Sequence, residues 1–183
     1  MEFVLIVLAA AVLGWGAFAF NRLVRLRNQV KAGWSDIDVQ LMRRHDLVPP
    51  LVEAVRAYAG HERSVLESVA TLRAQALQTR SPAALARVEH ALEQAVSRLL
   101  MVQEAYPDLK ANDGFLQLQR DLVDIEDHLQ YARRFYNGAV RALNDGVQKV
   151  PDVVVAKLAG FAPAEYFRAE AGAADAPRVE TAP

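Results

Sequence analysis

Read by its apolar positions, the chain falls into two regimes. From Phe3 to Phe20 it runs FVLIVLAAAVLGWGAFAF, and after that apolar residues return every three or four positions almost to the C-terminus. The first stretch is uncharged for about eighteen residues, or roughly 27 Å of helix, close to the hydrocarbon thickness of a bilayer. Two other readings of it are a cleaved secretory signal and a buried core helix. A secretory signal carries positive charge before its apolar run, whereas here Glu2 precedes the run and Arg22, Arg25, Arg27 and Lys31 follow it. The small residues Ala17 and Ala19 leave a cleavage site conceivable. A buried helix would show a polar stripe, and this one is apolar all round. The pattern therefore predicts an N-terminal transmembrane signal anchor over residues 1–21. The basic flank predicts its orientation, N-terminus outside and the following domain cytoplasmic. Ala10 and Gly14 form a small-xxx-small pair that would let two anchors approach closely.

The second regime predicts long amphipathic helices. Phe115, Leu118, Leu122, Ile125, Leu129, Ala132, Tyr136, Ala139 and Leu143 alternate steps of three and four, the seam of a bundle helix. Asn112 is placed to cap its start, and Asn144, Asp145, Gly146 and then Pro151 to stop it. Before it, Ser81 and Pro82 open a helix whose face carries Leu85, Val88, Leu92, Val96, Leu99 and Val102, ending by Tyr106-Pro107. Further upstream Trp34, Ile37, Leu41, Val48, Leu51, Val55 and Tyr58 share one seam with Pro49 and Pro50 in its middle. Either one helix continues through both prolines at the loss of two backbone bonds, or a turn at His45-Asp46 places them in a new first turn. A second break falls at Ala59-Gly60-His61, before Val65, Leu66, Val69 and Leu72 resume the pattern. Either choice leaves four helical segments after the anchor. The fold class expected is all-α: an N-terminal transmembrane helix followed by an antiparallel, four-helix-type bundle over 22–161. A partly disordered tail rich in Ala, Glu and Pro is expected over 162–183.

Composition narrows the chemistry. The 183 residues suit one ordinary core plus an anchoring segment. The chain has no cysteine, which excludes disulfides, thiolate catalysis and cysteine-ligated zinc. Setting Glu2 aside leaves 21 acidic residues against 21 basic ones, not the electrostatic footprint of a nucleic-acid binder.

The run Trp34-Ser35-Asp36-Ile37-Asp38-Val39-Gln40-Leu41, then Arg43-Arg44, Asp46-Leu47-Val48-Pro49 and Leu51-Val52, resembles the opening signature of the LemA family. Glu104-Ala105-Tyr106-Pro107-Asp108-Leu109-Lys110-Ala111-Asn112 and Tyr131-Ala132-Arg133-Arg134-Phe135-Tyr136-Asn137 are similar to its second and third stretches, in the same order. Pro50 stands where that family is expected to have a polar residue. The resemblance implies a bacterial inner-membrane protein with an N-out signal anchor and a cytoplasmic antiparallel bundle. It implies no defined activity, although one branch of the family takes part in building magnetosome membranes.

The residues themselves point away from catalysis. A di-metal bundle needs Glu-x-x-His on each of two helices, but His45, His61, His90 and His128 are preceded at that spacing by Met42, Tyr58, Arg87 and Ile125. His61-Glu62 lacks the second histidine of a zinc-protease motif, Val65 standing in its place. No nucleophile elbow, phosphate-cradling loop or dinucleotide fingerprint occurs. Ser35 lies near Asp36 and Asp38, but adjacent helical positions point in different directions. Neither an enzyme, a cofactor, a metal nor a small-molecule substrate is expected. What remains is a charged set, Asp36, Asp38, Arg43, Arg44, Asp46, Arg133 and Arg134. These either brace the bundle, with Arg133 and Arg134 against Asp36 or Asp38, or present a surface to a partner carboxylate or an anionic lipid. The partners expected are the membrane, and self-association or other membrane proteins. The function expected is that of a scaffold or adaptor, with membrane remodelling by oligomers as the alternative.

Overall fold

The computed structural model describes residues 1–168, and the part of the expected tail from 169 to 183 lies outside the described residues. The elements are α1 (Glu2–Tyr58), α2 (Arg63–Gln78), α3 (Pro82–Met101), a 3-10 turn at Val102–Ala105, α4 (Pro107–Lys110), α5 (Asp113–Gln148) and α6 (Asp152–Leu158). No strand occurs among the described residues, so the fold is all-α. Among them α1 alone is long and apolar enough to cross a membrane, and residues 1–14 are exposed along their whole length. The helices form two compact units. One joins Met1–Arg44 to Asp121–Tyr166, and the other is built on His45–Arg120.

In the first unit α1 and α5 run antiparallel. Arg44 stands opposite Glu126, and the Trp34 ring lies 5.5 Å from that of Tyr136. Close approach of the two helices depends on two glycines. A Cβ at Gly33 would lie 3.0 Å from the Tyr136 Cα, backbone that cannot give way, and one at Gly146 would lie 3.0 Å from Leu26. The α5 seam is buried as its spacing predicts, from Leu122 through Ile125, Leu129, Ala132, Tyr136 and Ala139 to Leu143. Leu143 packs in one cluster with Leu23 of α1, and Ile37 and Leu41 of α1 are likewise buried.

Of the expected stop at Asn144, Asp145, Gly146 and then Pro151, the first three do not end the helix, and α5 runs to Gln148, just before Pro151. The Asn144 side chain is occupied elsewhere: its amide donates to the Ala164 carbonyl at 3.0 Å and its oxygen accepts from the Ala164 N–H at 2.8 Å. It therefore does not compete for the helix backbone. Gly146 supplies the contact with Leu23 and Leu26 rather than a C-cap.

Beyond α5 the chain returns along α1. Arg22 donates to the Asp152 carboxylate at 2.7 Å at the start of α6. Gly160, at φ +69°, closes α6 with the Phe161 N–H donating to the Ala156 carbonyl at 2.9 Å, a left-handed cap that favours glycine. That turn carries Phe161 onto α1, its ring 5.7 Å from Phe20 and 4.9 Å beneath the Arg27 guanidinium. Tyr136 then donates from its hydroxyl to the Glu165 carbonyl at 2.8 Å. Burial, and secondly the charge of Glu165, hold the Tyr136 phenol above its usual 10.0, which keeps it the donor.

In the second unit the proline question is answered by a side chain. The helix runs unbroken through Pro49 and Pro50. Pro49 has no N–H for the carbonyl of His45, and Arg73 of α2 donates to that oxygen instead, Nε to O at 2.8 Å. The carbonyl freed by Pro50 belongs to Asp46, an exposed residue open to water. The helix ends at Tyr58, and the break expected at Ala59-Gly60-His61 is present. Ser81 accepts from the Ala84 N–H at 3.4 Å with Pro82 in the first turn, and Asn112 accepts from the Phe115 N–H at 2.9 Å. Val48, Leu51, Val55, Leu66, Val69, Leu85, Leu92, Leu99 and Phe115 are buried here.

The register of α5 makes a direct demand on stability. Leu129 is fully buried and Arg120 exposed, so Leu129→Ala should cost about 2–5 kcal/mol, while Arg120→Ala should stay within about 0.5 kcal/mol. Thermal unfolding of the detergent-solubilised chain followed by circular dichroism measures both. Equal midpoints would contradict the register.

Candidate interaction surface

Of the seven charged residues singled out in the sequence, the structure brings Arg44 and Arg133 together at one carboxylate. Arg44, nearly buried in α1, pairs through Nη2 with the Glu126 carboxylate, and Arg133 Nη1 lies 3.7 Å from the other oxygen of the same group. Seven residues on α5 bring Glu126 and Arg133 to one helical face. The acidic partner is thus Glu126, not Asp36 or Asp38, which are both exposed. Nothing in the sequence distinguished Glu126 from the other acidic residues near it on α5, because only the register of α1 against α5 brings it to Arg44.

Arg43 is exposed and donates to Gln40 at 3.3 Å, within one turn of its own helix. Arg134 is exposed, with its guanidinium 5.5 Å from the Tyr131 ring centroid. Asp46, on the segment of α1 that belongs to the second unit, is also exposed. The charged set therefore divides into a brace, Arg44 and Arg133 on Glu126, and a group of exposed side chains.

Beside the brace, within the first unit, an open groove is lined by Asp36, Val39 and Gln40 from α1 and by His128, Tyr131, Ala132 and Phe135 from α5. Val39 and Phe135 are about half exposed and Tyr131 more so. Each set keeps steps of three and four, so one face of each helix is displayed side by side. One edge of the Phe135 ring covers Gly33. His128 Nδ1 lies 2.7 Å from the Asp124 backbone oxygen and is exposed. The groove offers apolar area with one carboxylate and one imidazole at its margin, a composition suited to binding a side chain or a helix.

The sequence reading missed a second polar pair. In the second unit His45 Nε2 lies 2.6 Å from Oε1 of Glu89, whose side chain is 0% exposed. The signal was present: Glu89 falls between Leu85 and Leu92 on the apolar stripe of α3, and His45 between Leu41 and Val48 on that of α1. An enclosed imidazole–carboxylate pair of this kind specifies packing and is shut off from substrate. Among the described residues, no group of three or more histidine, aspartate or glutamate side chains is placed to hold a metal ion.

The brace can be tested by a double-mutant cycle. Arg44→Met alone should lower stability by leaving Glu126 with less compensation, and Glu126→Leu should restore much of the loss. A coupling of about 1–3 kcal/mol is expected from urea unfolding, and additive effects would remove the brace from the account.

Comparison with known proteins identifies relatives of the chain. The chain is 25% identical to magnetosome protein MamQ 2 of Paramagnetospirillum magneticum, over 86% of its own length and 67% of that protein's. It is 24% identical to magnetosome protein MamQ of Magnetospirillum gryphiswaldense, over 94% of its length and 75% of the relative's. The model of the LemA family matches residues 33–180, spanning the groove, the brace and the second unit. The chain belongs to the LemA family, as a membrane-associated protein with an N-terminal helix long and apolar enough to span a bilayer and an all-α helical region after it.

Proposed function

We propose that this chain is a non-enzymatic scaffold or adaptor, anchored in the bacterial inner membrane by residues 3–20 with its bundle on the cytoplasmic side. The observation that carries the reading is the open face made by Val39, Tyr131 and Phe135, with Asp36 and His128 at its margin. Apolar side chains gathered on adjacent helices and edged by charge are the usual form of a protein-recognition surface. The cytoplasmic placement rests on Arg22, Arg25, Arg27 and Lys31, retained on the inner side by the distribution of positive charge.

A second reading has its own support. The similar proteins are named for the magnetosome, which favours bundles that oligomerise on a bilayer and shape it. The two readings differ in what the purified full chain does in vesicles. A scaffold leaves vesicle shape unchanged, and a remodeller tubulates or constricts vesicles as its surface density rises.

Two outcomes follow from the first reading. Val39→Ser combined with Tyr131→Ser, both on exposed side chains, should leave the melting temperature within about 2 °C. The same variant should lose the proteins that cross-link to the parent chain in membranes; an unchanged cross-linking pattern would discard the groove as the recognition face. For topology, a fluorescent reporter at the C-terminus should be active in cells and an alkaline phosphatase there inactive. Arg25→Gln with Lys31→Gln spares the Arg22–Asp152 pair and should lower the correctly oriented fraction. External protease that digests the bundle in intact cells would overturn this placement.

A further inference from the structure

At the end of the first unit nearest the apolar run, three large side chains face outward with nothing over them. Val150 is 85% exposed, Val154 53% and Leu158 85%. Val154 and Leu158 lie four residues apart and share one face of α6, and Val150 stands in the turn just before it. The opposite face is the packed one, with Asp152 and Ala156 buried. Scattered exposed apolar residues need no explanation, but an ordered stripe on one side of a short helix does.

The register between α1 and α5 places that stripe. Arg44 stands at Glu126 and Trp34 at Tyr136, ten residues apart on each helix and in opposite senses. Gly146, ten beyond Tyr136, meets Leu23 and Leu26. Each interval is about 15 Å along the helix axis. α5 ends at Gln148, which the same register sets level with Arg22, two residues past the apolar run. Two contacts agree: Asp152 receives Arg22, just past the run, and the Phe161 ring meets Phe20 itself. The start of the 149–158 segment therefore lies beside the end of the apolar run.

We propose that the turn at 149–151 and α6 form a second membrane contact. In it Val150, Val154 and Leu158 enter the headgroup and upper acyl region beside α1, while Lys149 and Lys157 meet anionic headgroups. Both lysines are exposed, Lys149 with only an i,i+4 carboxylate, Asp145, at 3.3 Å. The one carboxylate on α6, that of Asp152, is neutralised by Arg22 and turned away from the stripe, which removes the charge most opposed to insertion. Apolar burial and the lysines then act together, as in an interfacial helix. The occupant argued for is lipid because the Arg22–Asp152 and Phe20–Phe161 contacts set this segment beside the end of the apolar run, where Phe18 and Phe20 are themselves exposed. With two points of contact, the first unit is held at a fixed tilt to the bilayer instead of swivelling on a single helix.

This inference rests on the anchor reading of residues 3–20, and the experiment separates the two. The chain contains no cysteine, so Leu8→Cys, Val154→Cys, Leu158→Cys and Asp127→Cys each give one labelling position in the full-length protein. Each variant carries an environment-sensitive fluorophore and is reconstituted in vesicles of phosphatidylcholine and phosphatidylglycerol. Quenching is read with nitroxide-bearing lipids and, separately, with aqueous iodide. Labels at 8, 154 and 158 should be quenched several-fold more by the lipid quencher than the label at 127, which should respond to iodide. Labels at 154 and 158 as open to iodide as that at 127, with 8 still in lipid, would overturn this contact and leave the anchor. A label at 8 open to iodide would overturn the anchor itself. Protection of 154 and 158 from both quenchers would point to a second copy of the chain on the stripe and would equally overturn the proposal. Val154→Glu with Leu158→Glu, on exposed side chains, should melt as the parent does and release a label at Val150→Cys to iodide. Continued lipid quenching at 150 in that variant would show that the stripe does not hold the segment at the bilayer.

Discussion

One carbonyl oxygen decides whether α1 is a single helix. Proline at 49 deprives the His45 carbonyl of its ordinary partner, and a buried carbonyl without a donor costs on the order of 1–3 kcal/mol. Arg73 supplies the donor from α2, and the helix passes through both prolines. The same residue, His45, meets Glu89 through its ring, so α2 and α3 are both tied to α1 at one position. Without the Arg73 bond the prolines would be better placed in the first turn of a new helix.

In the first unit, position is fixed by different means. The glycines at 33 and 146 let α1 and α5 approach where a methyl group would collide with backbone or with leucine. The Arg44–Glu126–Arg133 cluster then penalises any register that parts them. Such a cluster adds little over an apolar one of the same size, since desolvation offsets most of the attraction. Its effect is on which register is occupied. That division explains why two arginines of a charged signature are framework while their sequence neighbours Arg43 and Arg134 face solvent. Adjacent helical residues stand about 100° apart, so a doublet such as Arg43-Arg44 or Arg133-Arg134 necessarily sends its two members to different environments.

Much of the fold was legible from spacing alone. The α5 seam, the Ser81 and Asn112 caps, the break after Tyr58 and the apolar N-terminal helix follow from residue type and period, which are local properties. The continuation of α1 through Pro49 was not legible, because the compensating donor lies in another helix. Nor was the passage of α5 beyond Asn144, whose side chain is taken up by Ala164 twenty residues later. In the candidate site the arginines were visible but their acid was not: Glu126 is one of several carboxylates on α5, and only the pairing of two helices singles it out. Glu89 is the opposite case, legible from its place on an apolar stripe and overlooked because single acidic residues usually face water.

The paired register of α1 and α5 also limits how the gene can vary. Deleting one residue between Leu23 and Arg44 would turn everything on one side of the deletion by about 100° and shift it by about 1.5 Å. Gly33 would no longer face Tyr136, and Arg44 would no longer face Glu126. The same holds for α5 between Glu126 and Gly146. Changes in length are therefore confined to the connections between helices and to the ends of the chain. Within the paired helices the sequence drifts by substitution, and a functional variant with an insertion there would have to carry a second, matching one in the opposite helix of the pair.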